Sequence, residues 1–236
     1  MARSGTGDGA NDFTLRVVET AAWRALVVDL AEPHEAVSWA IVNGGRRRVT
    51  AVAWREVRLD ELGPSVDAAR LARETLAKLE VPRAVGLLTA RDVRRHDVER
   101  VVRGGVEAAC VATVGLGNLL AVGDPVAGPQ AHVGTINLLC LVSVGLSEEA
   151  LFEASALAAE ARTAAVLATG IRSPLSGRPA TGTGTDCIVV AARSAARAEA
   201  FAGKHTACGS AIGASVFGAV ARGAARWLEE SRCSAT

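Results

Sequence analysis

The sequence predicts an α+β fold, a single domain in which long helices pack on a mixed β-sheet. Three observations carry this reading. Strand-like runs come first and the long helices come late, without the regular alternation of a doubly wound sheet. Residues 136–144 are almost continuously apolar, as expected of a central strand covered on both faces. No linker of domain-boundary character interrupts the chain between Phe13 and Arg232. The expected organisation is a disordered tail over residues 1–12, followed by one domain over residues 13–236.

Taken in order, residues 13–19 and 23–30 are short, β-branched and bounded by polar residues, so both read as strands. Residues 35–42 are ambiguous. Asn43-Gly44-Gly45 then breaks the chain before strand character resumes over residues 48–57, and Asn-Gly between two such runs signals a hairpin turn. A helix is predicted over residues 65–80, with Ser65 as cap, Asp67 at the positive end of its dipole and Pro82 beyond its end. Residues 85–90 and 106–114 follow as buried strands. Ser147 caps the longest helix, which runs to about Ala168 with Glu148 and Glu149 in its first turn. Residues 171–185 form a loop of Pro, Gly, Ser and Thr, and residues 186–191 a strand. A final small-residue helix, broken by glycines, spans residues 208–230.

Composition narrows the function classes. Half of the 236 residues are hydrophobic and the net charge is +1, so a folded globular chain is expected. With Lys+Arg at 26 against Asp+Glu at 25, no excess charge is available to displace counterions from nucleic acid. The longest apolar run, residues 133–146, is too short to span a membrane. The first residues carry no apolar segment of a secretory signal. The five cysteines (Cys110, Cys140, Cys187, Cys208, Cys233) include no C-x-x-C pair, so no zinc or dithiol site is supported, and a cytoplasmic location is expected.

Nucleotide motifs are imitated but incomplete. Gly203-Lys204-His205-Thr206 resembles the end of a phosphate loop, yet Ala198 stands where the loop's first glycine belongs. Gly182-Thr183-Gly184 lacks its third glycine and precedes a strand rather than a helix. What remains is a concentration of small polar residues beside charged ones. Residues 181–186 put three threonine hydroxyls and the Asp186 carboxylate at the mouth of a buried strand, with glycines that let a ligand approach the backbone. Thr135 and Asn137 have a similar setting, and an amide within an apolar strand must be satisfied by the protein or by a ligand. Glu160 has Ala156, Leu157, Thr163 and Ala164 as its helical neighbours, so no charge partner lies along its own face; on a buried face such a carboxylate would be a base. Lys204, His205 and Thr206 lie just before the final helix, where free N–H groups favour an anion.

These segments also resemble, in order, those of a known family. Ala180-Thr181-Gly182-Thr183-Gly184-Thr185-Asp186 followed by Ile188-Val189-Val190-Ala191 is similar to the signature of the adenosylcobinamide amidohydrolases. Asn43-Gly44-Gly45, Leu87-Leu88-Thr89-Ala90 and residues 112–118 up to Asn118 resemble its further blocks. So do Gly134-Thr135-Ile136-Asn137, Glu160-Ala161-Arg162-Thr163 and residues 202–206. The chain departs from the family pattern at Arg162, where a lysine is usual, and at Ser210, where a glutamate is frequent.

The resemblance implies hydrolysis of the amide joining aminopropanol to the corrin propionate of adenosylcobinamide. The products are adenosylcobyric acid and 1-amino-2-propanol, in corrinoid salvage for coenzyme B12 synthesis. On this reading Glu160, Asp186 and His205 are the catalytic candidates. Either carboxylate takes the proton of the attacking water, and His205 protonates the departing amine or ligates the cobalt. The substrate-binding candidates are Asn43, Gly44, Gly45, Asn118, Thr135, Asn137, Thr183, Gly184, Thr185, Lys204 and Thr206. No cofactor or resident metal is implied, because the cobalt belongs to the substrate. The expected partner is a small corrinoid, with no nucleic acid and no membrane, and homo-oligomer formation stays open. A corrinoid-binding protein without catalysis, and an amidase for another small substrate, are the competing readings.

Overall fold

A computed structural model of the chain describes residues 4–5, 12–58, 61–62, 66–126 and 134–233. Most of the expected tail lies outside them, although Ser4–Gly5 pairs antiparallel with Thr14 and Leu15. The first hairpin joins β1 (Phe13–Glu19) to β2 (Arg24–Ser38), with Thr20 accepting from Trp23 N–H in the turn. The ambiguous residues 35–42 resolve as strand through Ser38, so β2 is fifteen residues long. Its pairing with β3 (Gly45–Glu56) shifts register between Asp29 and His34, where Pro33 offers no N–H to a ladder. The turn at residues 43–45 is as expected, with Asn43 at φ 55° and Gly45 at φ 80°.

Helix α1 (Ala68–Lys78) is capped by Asp67, whose side chain accepts from Arg70 N–H; the expected cap, Ser65, lies outside the described residues. β4 (Val85–Thr89) then runs parallel to β3. The next strand, β5 (Asp97–Arg103), was not anticipated. It turns through Gly104 and Gly105, both at positive φ, into β6 (Val106–Val114). β7 (Ile136–Val142), α2 (Glu148–Leu167), β8 (Cys187–Arg193) and α3 (Ala207–Cys233) complete the main elements. Ser147 caps α2 as predicted, accepting from Ala150 N–H at 3.2 Å. Helix α3 is continuous. Its glycines admit close packing instead of breaking it, since a Cβ at Gly223 would fall 2.6 Å from Val114.

The strands form one mixed sheet in the order β1-β2-β8-β7-β6-β5, with β3 pairing β2 and β4 pairing β3. β7 and β8 are parallel, as are β3 and β4, while the remaining pairs are antiparallel. β2 pairs β3 along both its halves, while its other edge pairs β1 over residues 24–30 and β8 over residues 34–38, and the sheet folds over itself there. Leu26, Val28, Val52 and Trp54 then share a core with Val111, Leu139, Leu141 and Val189. Helices α2 and α3 cover the other face of β6–β8 through Leu151, Ala158, Ile212 and Val216. Helix α1 closes the outside of β3 and β4 through Ala72 and Leu76. This is the predicted α+β fold with a mixed sheet. Among the described residues, no helix is long and apolar enough to cross a membrane.

Candidate active site

Where the folded sheet opens, the start of β8, the start of β7 and the end of β4 surround a cavity of about 690 Å³. Asn118, Thr135, Asn137, Gly184, Thr185 and Asp186 line it, so the structure brings together six of the expected residues. Thr183 is beside them, bonded to Asp186. The sequence reading missed Trp39, Ile41, Thr89 and Cys187, which line the same space. An isolated tryptophan close before the Asn43 turn, in a chain with 3% aromatic residues, was the available signal.

Asp186 organises the wall. Its Oδ1 accepts from Ile136 N–H at 2.8 Å and from the Thr183 hydroxyl, and its Oδ2 accepts from Thr183 N–H at 2.9 Å and from Arg162 Nη1. The side chain is 6% exposed. The carboxylate thus ties β7, the loop before β8 and α2 to one another. A Cβ at Gly182 would collide with Arg162 and lie 2.6 Å from Asp186 Oδ2, so the glycine makes room for the ion pair. Arg162 also lines a second cavity, of about 350 Å³, with Thr163, Thr181 and Thr183.

The other polar groups are pinned by short bonds. Thr135 donates to Thr185 O at 2.8 Å, and Thr185 donates to Gly134 O at 3.2 Å. Asn137, buried in β7, donates to Leu88 O at 2.6 Å and so ties the two halves of the sheet. Asn118 keeps a side-chain oxygen with no partner among the described residues. Burial raises the Cys187 thiol to about 11, opposed by its hydrogen-bond contact with Ser38, so the sulfur is a neutral thiol near neutral pH. Cys140 and Cys208 are pushed to about 12 and Cys110 upward as well, all by burial.

Several expected site residues lie elsewhere. Asn43, Gly44 and Gly45 form the β2–β3 turn, where Asn43 donates to Pro82 O and Ala84 O. A Cβ at Gly44 would strike Ala40 O, so this segment is a packed turn and not part of the cavity wall. Glu160 is neither buried nor unpartnered: it is 57% exposed, and Lys204 Nζ reaches it at 2.5 Å. No charged partner lies one turn away on its own helix, but the loop before α3 supplies one. Thr206 caps α3, accepting from Gly209 N–H at 2.9 Å. His205 is exposed one residue earlier. The start of α3 packs on the β5–β6 turn, with Ala207 about 3.0 Å from the position of a Gly104 Cβ. From that turn β6 runs to Val114, which pairs with Ile136 beside Asp186. Neither His205 nor Lys204 lines the cavity, and Lys204 reaches only as far as Glu160, two residues before Arg162 on α2.

Comparison with known proteins places the chain in a family. The adenosylcobinamide amidohydrolase (CbiZ) profile matches residues 12–232. The chain belongs to this family. The amidohydrolase family match therefore spans both halves of the sheet and all three long helices, with every wall of the cavity inside it. No curated protein sequence matches the chain. Among solved structures, the PH0078 protein from Pyrococcus horikoshii OT3 is similar over 94% of this chain and 82% of its own, at 9% identity and a TM-score of 0.43. That likeness is too loose to speak to function. Among the described residues, no three His, Cys, Asp or Glu side chains converge as metal ligands.

Proposed function

We propose that the protein hydrolyses the aminopropanol amide of adenosylcobinamide, yielding adenosylcobyric acid and 1-amino-2-propanol for corrinoid salvage. Membership of the amidohydrolase family supports this reading. The observation that carries it is the cavity beside Asp186, whose wall of threonines and asparagines suits an amide-bearing arm. Asp186 is the carboxylate among the described lining residues. In the proposed reaction it takes a proton from the attacking water and returns it to the departing amine, so one carboxyl group serves as base and then acid. The Asn118 amide, beside Gly184, donates to the oxyanion. His205 and Lys204 have no part in this scheme.

One observation favours a second reading, a corrinoid-binding protein without turnover. Both Asp186 oxygens are already held by two donors each, which suits a structural tie as well as a base. Incubation with adenosylcobinamide and mass spectrometry of the products separates the two. Cobyric acid formed in proportion to enzyme supports hydrolysis; tight binding with no product supports the second reading.

A further inference from the structure

The cavity beside Asp186 is too small for the whole of the proposed substrate. Adenosylcobinamide exceeds the drug-sized ligands that cavities of about 300–1,000 Å³ enclose, and this one measures about 690 Å³. The aminopropanol arm and one edge of the ring fit inside, so the macrocycle must lie across the mouth. Three of the exposed side chains there are apolar, beside the exposed Thr185. Trp39, Ile41 and Leu62 are 52%, 53% and 37% exposed, and all three line the cavity. Apolar groups gathered at a cavity mouth mark a surface that a ligand covers. The Trp39 ring is also held in place: its Nε1–H donates to Asp186 O at 2.8 Å, and the neighbouring Ser38 donates to Ile188 O at 2.8 Å. An indole whose N–H is satisfied and whose ring stays exposed is a preorganised stacking surface.

We infer that Trp39, flanked by Ile41 and Leu62, is the shelf on which the corrin macrocycle rests while the amide arm enters the cavity; this rests on the function proposed above. Trp39 is therefore a specificity-determining residue. It selects a wide, flat ligand over a small free amide.

The test is equilibrium dialysis of adenosylcobinamide, read by its visible absorption, with steady-state cobyric acid formation measured alongside. Trp39→Ala should weaken binding by about ten-fold or more and raise KM in parallel, with kcat little changed. Trp39→Phe, flat but without the N–H, should recover most of that affinity. Phe201→Ala, at a ring 71% exposed outside the cavity lining, should leave binding unchanged. A purely structural Trp39 would behave otherwise, because neither variant can bond to Asp186 O and both would fail alike. Binding by Trp39→Ala as tight as wild type, or a Phe variant no better than the Ala one, overturns the shelf. If wild type binds, the Ala variant binds weakly and no product forms, the hydrolase reading falls and the shelf stands. A wild-type protein that binds no corrinoid overturns both.

Discussion

The Arg162 guanidinium on α2 donates to the Asp186 carboxylate at the start of β8, with side chains only 15% and 6% exposed. The pair forms the wall between two cavities, since Asp186 lines the larger and Arg162 the smaller. Solvent screening is weak at such burial, so the pair is both a structural tie and the electrostatic setting of the site.

Asp186→Asn is expected to affect stability and turnover together. It leaves the Arg162 charge mostly buried without its partner, at a cost of roughly 3–5 kcal/mol read from urea unfolding. Loss of the acid–base group should lower cobyric acid formation by about 10²-fold or more below the unfolding midpoint. A lowered midpoint with an unchanged rate would make Asp186 a tie alone.

Glu160→Gln should change little. Its partner Lys204 is 64% exposed, and exposed pairs of this kind contribute about 0–1 kcal/mol. Initial rates near those of wild type are expected. A drop of about 10²-fold, the usual cost of removing an acid–base group, would place Glu160 in the reaction after all.

His205→Ala separates the site from the start of α3. A residue at the far end of β6 should leave the rate and the bound corrinoid's visible spectrum unchanged, with stability altered by no more than about 0.5 kcal/mol. A spectral change abolished by the substitution would show cobalt ligation. A shifted pH–rate profile would show proton donation.

Stability should fall on mild acidification because of His34. Burial holds its pKa below 6.5, opposed by a bond from Nδ1–H to Glu32 O, and Nε2 has no partner among the described residues. The unfolded chain takes up the proton at the ordinary value while the folded chain resists it. Stability is therefore intact above about 6.5 and declines as pH falls from there through the lowered folded value. Denaturation midpoints between pH 7 and 5 measure this, and His34→Gln should flatten the slope. An equal slope in both proteins would assign the acid sensitivity to other groups.

What the sequence alone determined was local. Ser147 beside two glutamates announced α2, Asn43-Gly44-Gly45 announced its turn, and the apolar run at residues 136–144 announced a covered strand. Each rests on caps, turn chemistry or periodicity within a few residues of itself. Thr183-Gly184-Thr185-Asp186 also marked a candidate site in the sequence, and Gly184, Thr185 and Asp186 line the cavity. Gly104-Gly105 carried an equally local signal for β5, and that one went unread. Tertiary structure decided the partners. Glu160 looked unpaired because no charged partner lies one turn away on its own helix, yet a cation arrives from the loop before α3. The family resemblance grouped His205 with Asp186 as catalytic candidates, yet α3 begins at the end of β6 away from Val114 and Ile136. Trp39 drew no notice until β2 and β8 paired and hung its ring from the Asp186 carbonyl. Local chemistry specifies each element, but which groups meet depends on strand order and on where each connection crosses the sheet, and those are set by packing between distant segments.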